Sequence, residues 1–274
     1  MPELPEVATV VAGLAKTLPG RTVSRVSILF PKAVRNDSQE FIDHMTGRTL
    51  GSPTRRGKMT LLPVGPDFIL IVHLKMTGQL LWISQDAPVA KHTHVIIEFT
   101  GSPNQLRFRD QRRFGYLALV NRSELAAFPP YSNLAPDFKE INQAEFLARL
   151  ASKKGRLKPL LLDQSVVSGL GNIYADESLF RAELHPLTQC ADLTQTERKR
   201  LFKAAIEVLD EAIAAGGTTI SDYVQANGQP GLFQVSLRAY GKQGQPCPNC
   251  GQPIERLKIS GRSSYFCPKC QPLR

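Results

Sequence analysis

The chain has 274 residues, 42% of them hydrophobic, so it can bury a core, and its length predicts two domains plus a small module. Thirty-four Lys and Arg against 24 Asp and Glu give a net charge of +10, which favours nucleic acid as a partner, although a solvated basic surface is the alternative. No apolar run approaches the roughly 18 residues of a membrane span, and no secretion signal is present, so we expect a cytoplasmic protein that does not bind membranes.

Apolar residues at helical spacing predict an amphipathic helix near the N-terminus. Its apolar face comprises Val7, Val10, Val11, Leu14 and Leu18, and Pro19-Gly20 ends the pattern. The helix is expected to hold the preceding residues still.

The residues before this helix carry candidate chemistry. If Met1 is removed, which the small Pro2 favours, the chain begins with a secondary amine beside the carboxylate of Glu3. An α-amino group has a pKa of about 7.7 to 8, so a neutral fraction can attack an aldehyde-like carbon while Glu3 moves protons. Alternatively, Glu3 and Glu6 only complement the dipole of a helix that begins near Pro5, and these residues alone favour that alternative.

Short β-type runs separated by turn residues follow the helix. They lie at 23–30, 59–64, 68–74, 79–83, 94–99, 106–109 and 116–120. This pattern predicts an antiparallel sandwich or barrel and not a βαβ fold.

Arginines and aromatic residues occur together at 107–115, which we interpret as a loop between strands. Such a loop can insert Phe114 and Arg112 into a duplex to replace an extruded base, with Met76 as an apolar wedge from a neighbouring turn. As isolated residues, Met76 and Phe114 are typical of a core, and Arg112 of a surface.

Helical periodicity replaces the β pattern after a boundary near residues 128–130. Helices are predicted at 144–151, 159–164, 173–181 and 194–215. Thr194 and Glu197 form a capping-box pattern for the last helix, and Gly216-Gly217 ends it. A polar, glycine-containing loop from 218 to about 234 leads to a cysteine-rich module.

Two cation-bearing stretches and one glycine turn can contact phosphates. Lys58, in the stretch Arg55-Arg56-Gly57-Lys58, and the run at 153–158 are either phosphate contacts or solvated charges. The turn Gly169-Leu170-Gly171-Asn172 exposes backbone N–H groups and an amide at a helix start, although most such turns are structural.

Four of the five cysteines lie near the C-terminus in two CxxC pairs separated by sixteen residues: Cys247, Cys250, Cys267 and Cys270. This spacing predicts one structural zinc ion (Zn2+) held by four thiolates at the ends of a β-hairpin. A disulfide framework is the alternative, which the lack of a secretion signal disfavours. Cys190 is interpreted as a small buried hydrophobe.

These motifs together resemble, in order and from Pro2 to Cys270, the bacterial formamidopyrimidine-DNA glycosylases, which repair oxidised purines. The resemblance implies an α+β multidomain protein. It would comprise an N-terminal helix and antiparallel β-sandwich (1–130), a helix-two-turn-helix domain (131–235) and a zinc finger (236–274), with DNA held between the domains.

The resemblance also implies a bifunctional glycosylase and AP lyase. Pro2 would attack C1′ of the damaged nucleotide and form a Schiff base, while Glu3 would protonate the sugar ring oxygen and assist β,δ-elimination. Lys58 matches a lysine beside the lesion and its phosphates, and Glu6 matches an acid near the lesion pocket.

The implied partner is double-stranded DNA that contains oxidised bases, chiefly 8-oxoguanine opposite cytosine, or abasic sites. Met76, Arg112 and Phe114 would fill the gap left by the flipped base, with Arg112 facing the orphaned cytosine. Residues 218–229 resemble a mobile lid over the extruded purine. Positions matching phosphate contacts are His92, Asn172, Tyr240 and Arg262. A monomer at the bacterial nucleoid is expected.

Three positions depart from the family's usual pattern without touching the implied nucleophile, namely Ala8, Thr77 and Gln111. Leu4 favours this family over the endonuclease VIII type, which prefers oxidised pyrimidines and tends to have glycine there. The alternative from another class is a noncatalytic zinc-ribbon protein that binds damaged DNA, for which Pro2→Gly or Glu3→Gln would change nothing.

Overall fold

A computed structural model describes residues 1–273, and the chain forms two compact units. The first unit comprises residues 1–132 and 215–232, and the second comprises 133–214 and the chain from 233 onward. The segment 215–232 therefore packs with the N-terminal residues, although it follows the last long helix of the second unit.

The predicted first helix is present as α1 (Leu4–Ala15). Its first turn contains Pro5. Proline is tolerated there because the backbone N–H groups in the first turn of a helix have no intrahelical acceptor, so the N–H that proline lacks costs no hydrogen bond. Its buried face includes Leu4, Val7, Val10 and Leu14, which are fully buried. The helix ends before Leu18, which is buried as well.

The predicted β-sandwich is confirmed in the first unit. Two four-stranded antiparallel sheets have the orders β1-β6-β7-β5 and β2-β3-β4-β8, and one apolar core takes residues from both. The strands are β1 (Val23–Ile28), β2 (Thr54–Arg56), β3 (Met59–Val64), β4 (Phe68–His73), β5 (Gly78–Ser84), β6 (Thr93–Phe99), β7 (Asn104–Asp110) and β8 (Tyr116–Asn121).

Two short elements of the first unit were not predicted. Helix α2 (Ser38–Met45) is capped by Asp37, whose carboxylate accepts from two backbone N–H groups, and it buries Phe41 and Met45. Strand β2 pairs with β3 through a tight turn at Gly57-Lys58. Strand β2 has only three residues, so its sequence periodicity is weak.

The second unit contains α3 (Gln143–Ala151), α4 (Leu157–Leu162), α5 (Asn172–Arg181), α6 (Gln195–Ala214) and the hairpin of β9 (Glu255–Ile259) and β10 (Arg262–Phe266). Helix α4 begins before the predicted Pro159, because the first turn of a helix tolerates proline. The capping box is confirmed: Thr194 and Glu197 each accept the other's backbone N–H, at 2.9 and 3.2 Å.

None of the helices that the structure describes combines the length and the apolar character needed to cross a membrane.

Candidate functional site

Pro2 and Glu3 lie at the start of α1, where both are buried. Glu3 is the N-cap residue: its N–H donates to Glu6 Oε2 at 2.7 Å, and its own carboxylate accepts the N–H of Glu6. The helix-start role proposed as the alternative for these acids is therefore present. The same contacts fix the Glu3 carboxylate one residue from Pro2.

Glu6 also connects α1 to the segment 215–232 of the same unit. Its Oε1 accepts the N–H of Thr218 at 2.7 Å, and its carbonyl accepts the hydroxyl of Tyr223 at 3.3 Å. Gly217 has φ +84°, and a Cβ there would lie 3.0 Å from Glu6 Oε1. Glu6 is 1% exposed, so its observed contacts are internal, and its predicted contact with DNA stays a prediction.

Lys58 lies in the β2–β3 turn with only 8% of its surface exposed, beside a group of cations. Burial, followed by the charges of Lys75, Lys58 and Arg35, lowers the pKa of His73 to about 3. His73 is therefore neutral at physiological pH, and its Nδ1 accepts the N–H of Lys75 at 3.1 Å. The region thus concentrates positive charge, which suits it to a phosphate or a developing anion.

Met76, Arg112 and Phe114 lie in turns of the sandwich. Met76 is 38% exposed and Phe114 is 54% exposed, so assigning them to the core, as isolated residues would suggest, is wrong. The Arg112 guanidinium lies 4.8 Å from the centre of the Phe114 ring. The predicted loop at 107–115 is shorter than expected, because β7 extends through Asp110.

Asp110, which we did not predict as a site residue, holds these turns together. It is fully buried and accepts hydrogen bonds from Gly115 N at 2.6 Å, from Arg112 N at 3.2 Å and from the Thr77 hydroxyl. Thr77 Oγ1 in turn accepts from Arg112 N at 3.0 Å. One carboxylate therefore joins the turn after Met76 to the turn after β7. The sequence pattern that could have indicated this role is an acid followed five residues later by glycine, here Gly115.

His92 lies before β6 in the left-handed backbone region, with φ 68°. Its carbonyl accepts the N–H of Asp110 at 3.0 Å, which attaches this turn to the end of β7. Loss of hydration and the neighbouring charges, beginning with Lys91 and Arg113, lower the pKa of His92.

In the second unit, α5 and the β9–β10 hairpin bring Asn172, Arg262 and Tyr240 into one region. Asn172 Nδ2 donates to Ser263 O at 3.0 Å, beside the exposed Arg262 at the start of β10. The Tyr240 ring packs edge-on against Tyr265 of β10, with 5.2 Å between ring centres. These three residues and the four paired cysteines belong to the second unit. The other candidate residues belong to the first unit.

The sulfur atoms of the four predicted zinc ligands lie within 4.8 Å of one another. Cys247 and Cys270 are 3.9 Å apart, and Cys250 and Cys267 are 3.5 Å apart. Thiolates about 2.3 Å from a tetrahedral zinc are about 3.8 Å apart, so this set fits one closed, structural zinc ion.

Cys190 lies apart from the zinc ligands. It is fully buried and its thiol donates to Leu150 O at 3.0 Å, as expected for a buried structural residue.

Three family models match the chain in succession. Residues 1–117 match the formamidopyrimidine-DNA glycosylase N-terminal domain, residues 133–224 the formamidopyrimidine-DNA glycosylase H2TH domain, and residues 244–273 a zinc finger found in FPG and IleRS. The formamidopyrimidine-DNA glycosylase of Desulforamulus reducens is 43% identical over 99% of both chains. That of Acaryochloris marina is 44% identical, also over 99% of both.

Solved structures of the Lactococcus lactis Fpg protein are similar over nearly the whole chain. One, in complex with DNA that contains an abasic site, has a TM-score of 0.91 and 34% identity and covers 98% of this chain and 99% of that one. Another, with DNA that contains a benzylated Fapy-dG, has a TM-score of 0.92 and 34% identity and covers 99% and 100%.

Proposed function

This chain belongs to the formamidopyrimidine-DNA glycosylase family, DNA glycosylases and AP lyases of base excision repair that act on oxidised purines, and we propose that Pro2 and Glu3 carry its chemistry. The observation that supports these roles is the start of α1, where a buried Glu3 is held by two capping hydrogen bonds directly beside Pro2. The proposal requires that Met1 be removed, because an acylated proline nitrogen is not a nucleophile.

In the first step, the Pro2 amine forms a bond to C1′ of the damaged nucleotide while the C1′–N bond to the base breaks. The base leaves with the electron pair of that bond and takes up a proton from solvent. The Glu3 carboxylate accepts the proton that the Pro2 nitrogen loses and delivers it to the sugar ring oxygen, so that the C1′–O4′ bond breaks and an iminium between Pro2 and C1′ remains. Loss of a C2′ proton then expels the 3′ phosphate, and a second elimination expels the 5′ phosphate.

Lys58 is proposed to stabilise the negative charge that develops on the departing base and phosphates. The charge of its ammonium group is reinforced by Lys75 and Arg35, whereas His73, whose pKa all three cations lower, is neutral. A buried cation acts more strongly on such charge than a solvated one, because the surroundings screen it less.

We propose that Met76, Arg112 and Phe114 enter the duplex after the damaged base is flipped out. Their exposure supports this role, and filling the gap offsets part of the cost of unstacking, a few kcal/mol. Proposed phosphate contacts are those of His92, Asn172, Tyr240 and Arg262. The substrate would be 8-oxoguanine opposite cytosine, formamidopyrimidines or abasic sites in duplex DNA, acted on by a monomer at the nucleoid in the bacterial cytoplasm.

Borohydride trapping tests the nucleophile. The purified protein, confirmed by mass to lack Met1, is incubated with borohydride and a duplex that carries 8-oxoguanine opposite cytosine. The expected result is a covalent adduct with the wild type and none with Pro2→Gly. Pro19→Gly is the matched control, because the same substitution at an exposed position after the end of α1 should leave trapping intact.

Trapping by Pro2→Gly at the wild-type rate would overturn the role of residue 2. If the wild type lacking Met1 forms no adduct with this duplex or with an oxidised pyrimidine, yet binds both, the noncatalytic damage binder is favoured instead.

A further inference from the structure

Helix α5 carries two consecutive buried carboxylates, Asp176 and Glu177, that the proposed reaction does not use. They are 1% and 4% exposed. Neighbours on a helix point in different directions, so each contacts a different part of the chain. Buried acids are costly unless hydrogen-bonded or paired, so their partners indicate what they do.

Glu177 binds the backbone that leads to Tyr240. Its Oε1 accepts the N–H groups of Tyr240 at 2.8 Å and Ala239 at 3.0 Å, and its Oε2 accepts that of Arg238 at 3.0 Å. Burial raises the pKa of Glu177, while these three N–H groups act in the opposite direction. Three converging bonds fix the position from which the Tyr240 side chain projects.

Asp176 binds the strand that begins at Arg262. Its Oδ1 lies 2.7 Å from the ammonium of the buried Lys158, and its Oδ2 accepts Tyr265 N at 3.1 Å. Lys158 donates to Ser263 O at 2.9 Å and to Ser264 Oγ at 2.8 Å. The ion pair therefore joins α4 and α5 to three consecutive residues of β10, directly after Arg262.

We infer that Asp176 and Glu177 are positioning residues that hold Arg262 and Tyr240 in register with Asn172 for binding the DNA backbone. This inference rests on the proposed function, in which these three residues contact phosphates. Helix α5 thus carries Asn172 itself and, through Glu177 and Asp176, holds the backbone next to Tyr240 and Arg262.

Because Asp176 and Glu177 are acids, positioning and overall charge predict opposite changes in DNA affinity when either is replaced. Burial raises the pKa of Asp176 to about 7 and that of Glu177 above its ordinary value, so binding is compared at pH 8, where more of each acid is ionised. Replacing an ionised acid by its amide makes the protein more positive by up to one charge, so overall electrostatics alone favours tighter binding to DNA. Loss of positioning predicts weaker binding. The two effects therefore have opposite directions.

The test measures the dissociation constant for a duplex with a tetrahydrofuran abasic analogue, by fluorescence anisotropy, as a function of salt. Glu177→Gln should raise the dissociation constant about 10-fold without changing the salt slope, because Tyr240 is uncharged. Asp176→Asn should raise it and reduce the slope by about 0.9, the loss of one phosphate contact by Arg262. Glu207→Gln, at a half-exposed position of α6 where the carboxylate lies 3.7 Å from Arg181 and 3.8 Å from Lys203, also removes one acid and should bind no more weakly than the wild type.

A double variant identifies the route through Tyr240. If Glu177 acts by placing Tyr240, Glu177→Gln with Tyr240→Phe should bind no more weakly than the weaker single variant. Additive losses, or unchanged binding by the two single amide variants, would overturn the inference. Should Glu177→Gln lose its fold, as judged by circular dichroism and zinc content, Glu177→Asp replaces it. Should Asp176→Asn do so, Asp176→Leu with Lys158→Met removes both charges together.

Single-turnover excision separates this inference from the proposed chemistry. At saturating enzyme, both amide variants should cleave the 8-oxoguanine duplex within about twofold of the wild-type rate, because their defect is in binding. Failure of the wild type to form the trapped adduct would count against the role of Pro2. A trapping wild type with amide variants that bind normally would count only against the positioning roles.

Discussion

Replacing Asp110 by Asn tests whether one carboxylate holds the two turns that carry Met76, Arg112 and Phe114. The amide oxygen of Asn can still accept from Arg112 N and the Thr77 hydroxyl. Its NH2 group then faces Gly115 N, so the 2.6 Å hydrogen bond is lost and two donors meet in a site without solvent exposure. Hydrogen bonds to charged groups contribute about 1.5–3 kcal/mol, so we expect the free energy of unfolding to fall by about 2–4 kcal/mol.

Urea denaturation at pH 7 measures this change. Asp67→Asn is the matched control: the same substitution removes an exposed carboxylate 3.8 Å from Arg48 and should alter the free energy by less than about 0.5 kcal/mol. Excision should be affected as well, with a reduced preference for 8-oxoguanine opposite cytosine over adenine, because the turn that carries Arg112, which is proposed to face the opposite cytosine, loosens. If Asp110→Asn is as stable as the control and retains the wild-type preference, this explanation of the two turns is refuted.

Three further predictions concern protonation, packing and the metal. The pKa of His73 is about 3 in the folded protein and about 6.5 in the unfolded chain, so between these pH values only the unfolded chain binds the proton. The free energy of unfolding should therefore fall by about 1–3 kcal/mol from pH 6.5 to 4, and His73→Asn should reduce this pH dependence in thermal melts. A Cβ at residue 231 would lie 2.2 Å from a carbonyl oxygen, so Gly231→Ala should cost about 2–4 kcal/mol in urea melts, against about 1 kcal/mol for Gly228→Ala, which meets nothing within 4 Å. Elemental analysis should find one zinc per chain, absent in Cys267→Ser and retained in Cys190→Ser; zinc retained by the former would contradict the four-thiolate site.

Local sequence patterns predicted much of the fold. The α1 face, the β-type runs, the Thr194–Glu197 capping box and the two CxxC pairs are determined by residues close together in the chain, so their spacing was sufficient. The sandwich followed because strands without intervening helices must bury their apolar faces against one another.

The buried acids show where sequence patterns were insufficient. Besides its capping contact with Glu3, Glu6 binds Thr218, which lies 212 residues away, and the partners of Glu177 lie 61 to 63 residues away, so no periodicity relates these distant pairs. The exposure of Met76 and Phe114 could not be predicted from hydrophobicity alone, because a side chain that inserts into a duplex is as apolar as one that fills a core. Only the order of motifs along the chain favoured the first interpretation.

The return of residues 215–232 to the first unit restricts how this chain can be divided. The backbone passes from one unit to the other three times, near residues 132, 214 and 232, so neither unit is a continuous stretch of sequence. A fragment cut at any one of these points leaves at least one unit incomplete: ending at 214, for instance, removes the segment that supplies Thr218 and Tyr223 to Glu6. Circular permutation or insertion of a reporter within an exposed turn is therefore a better route to dissecting this protein than expression of isolated fragments.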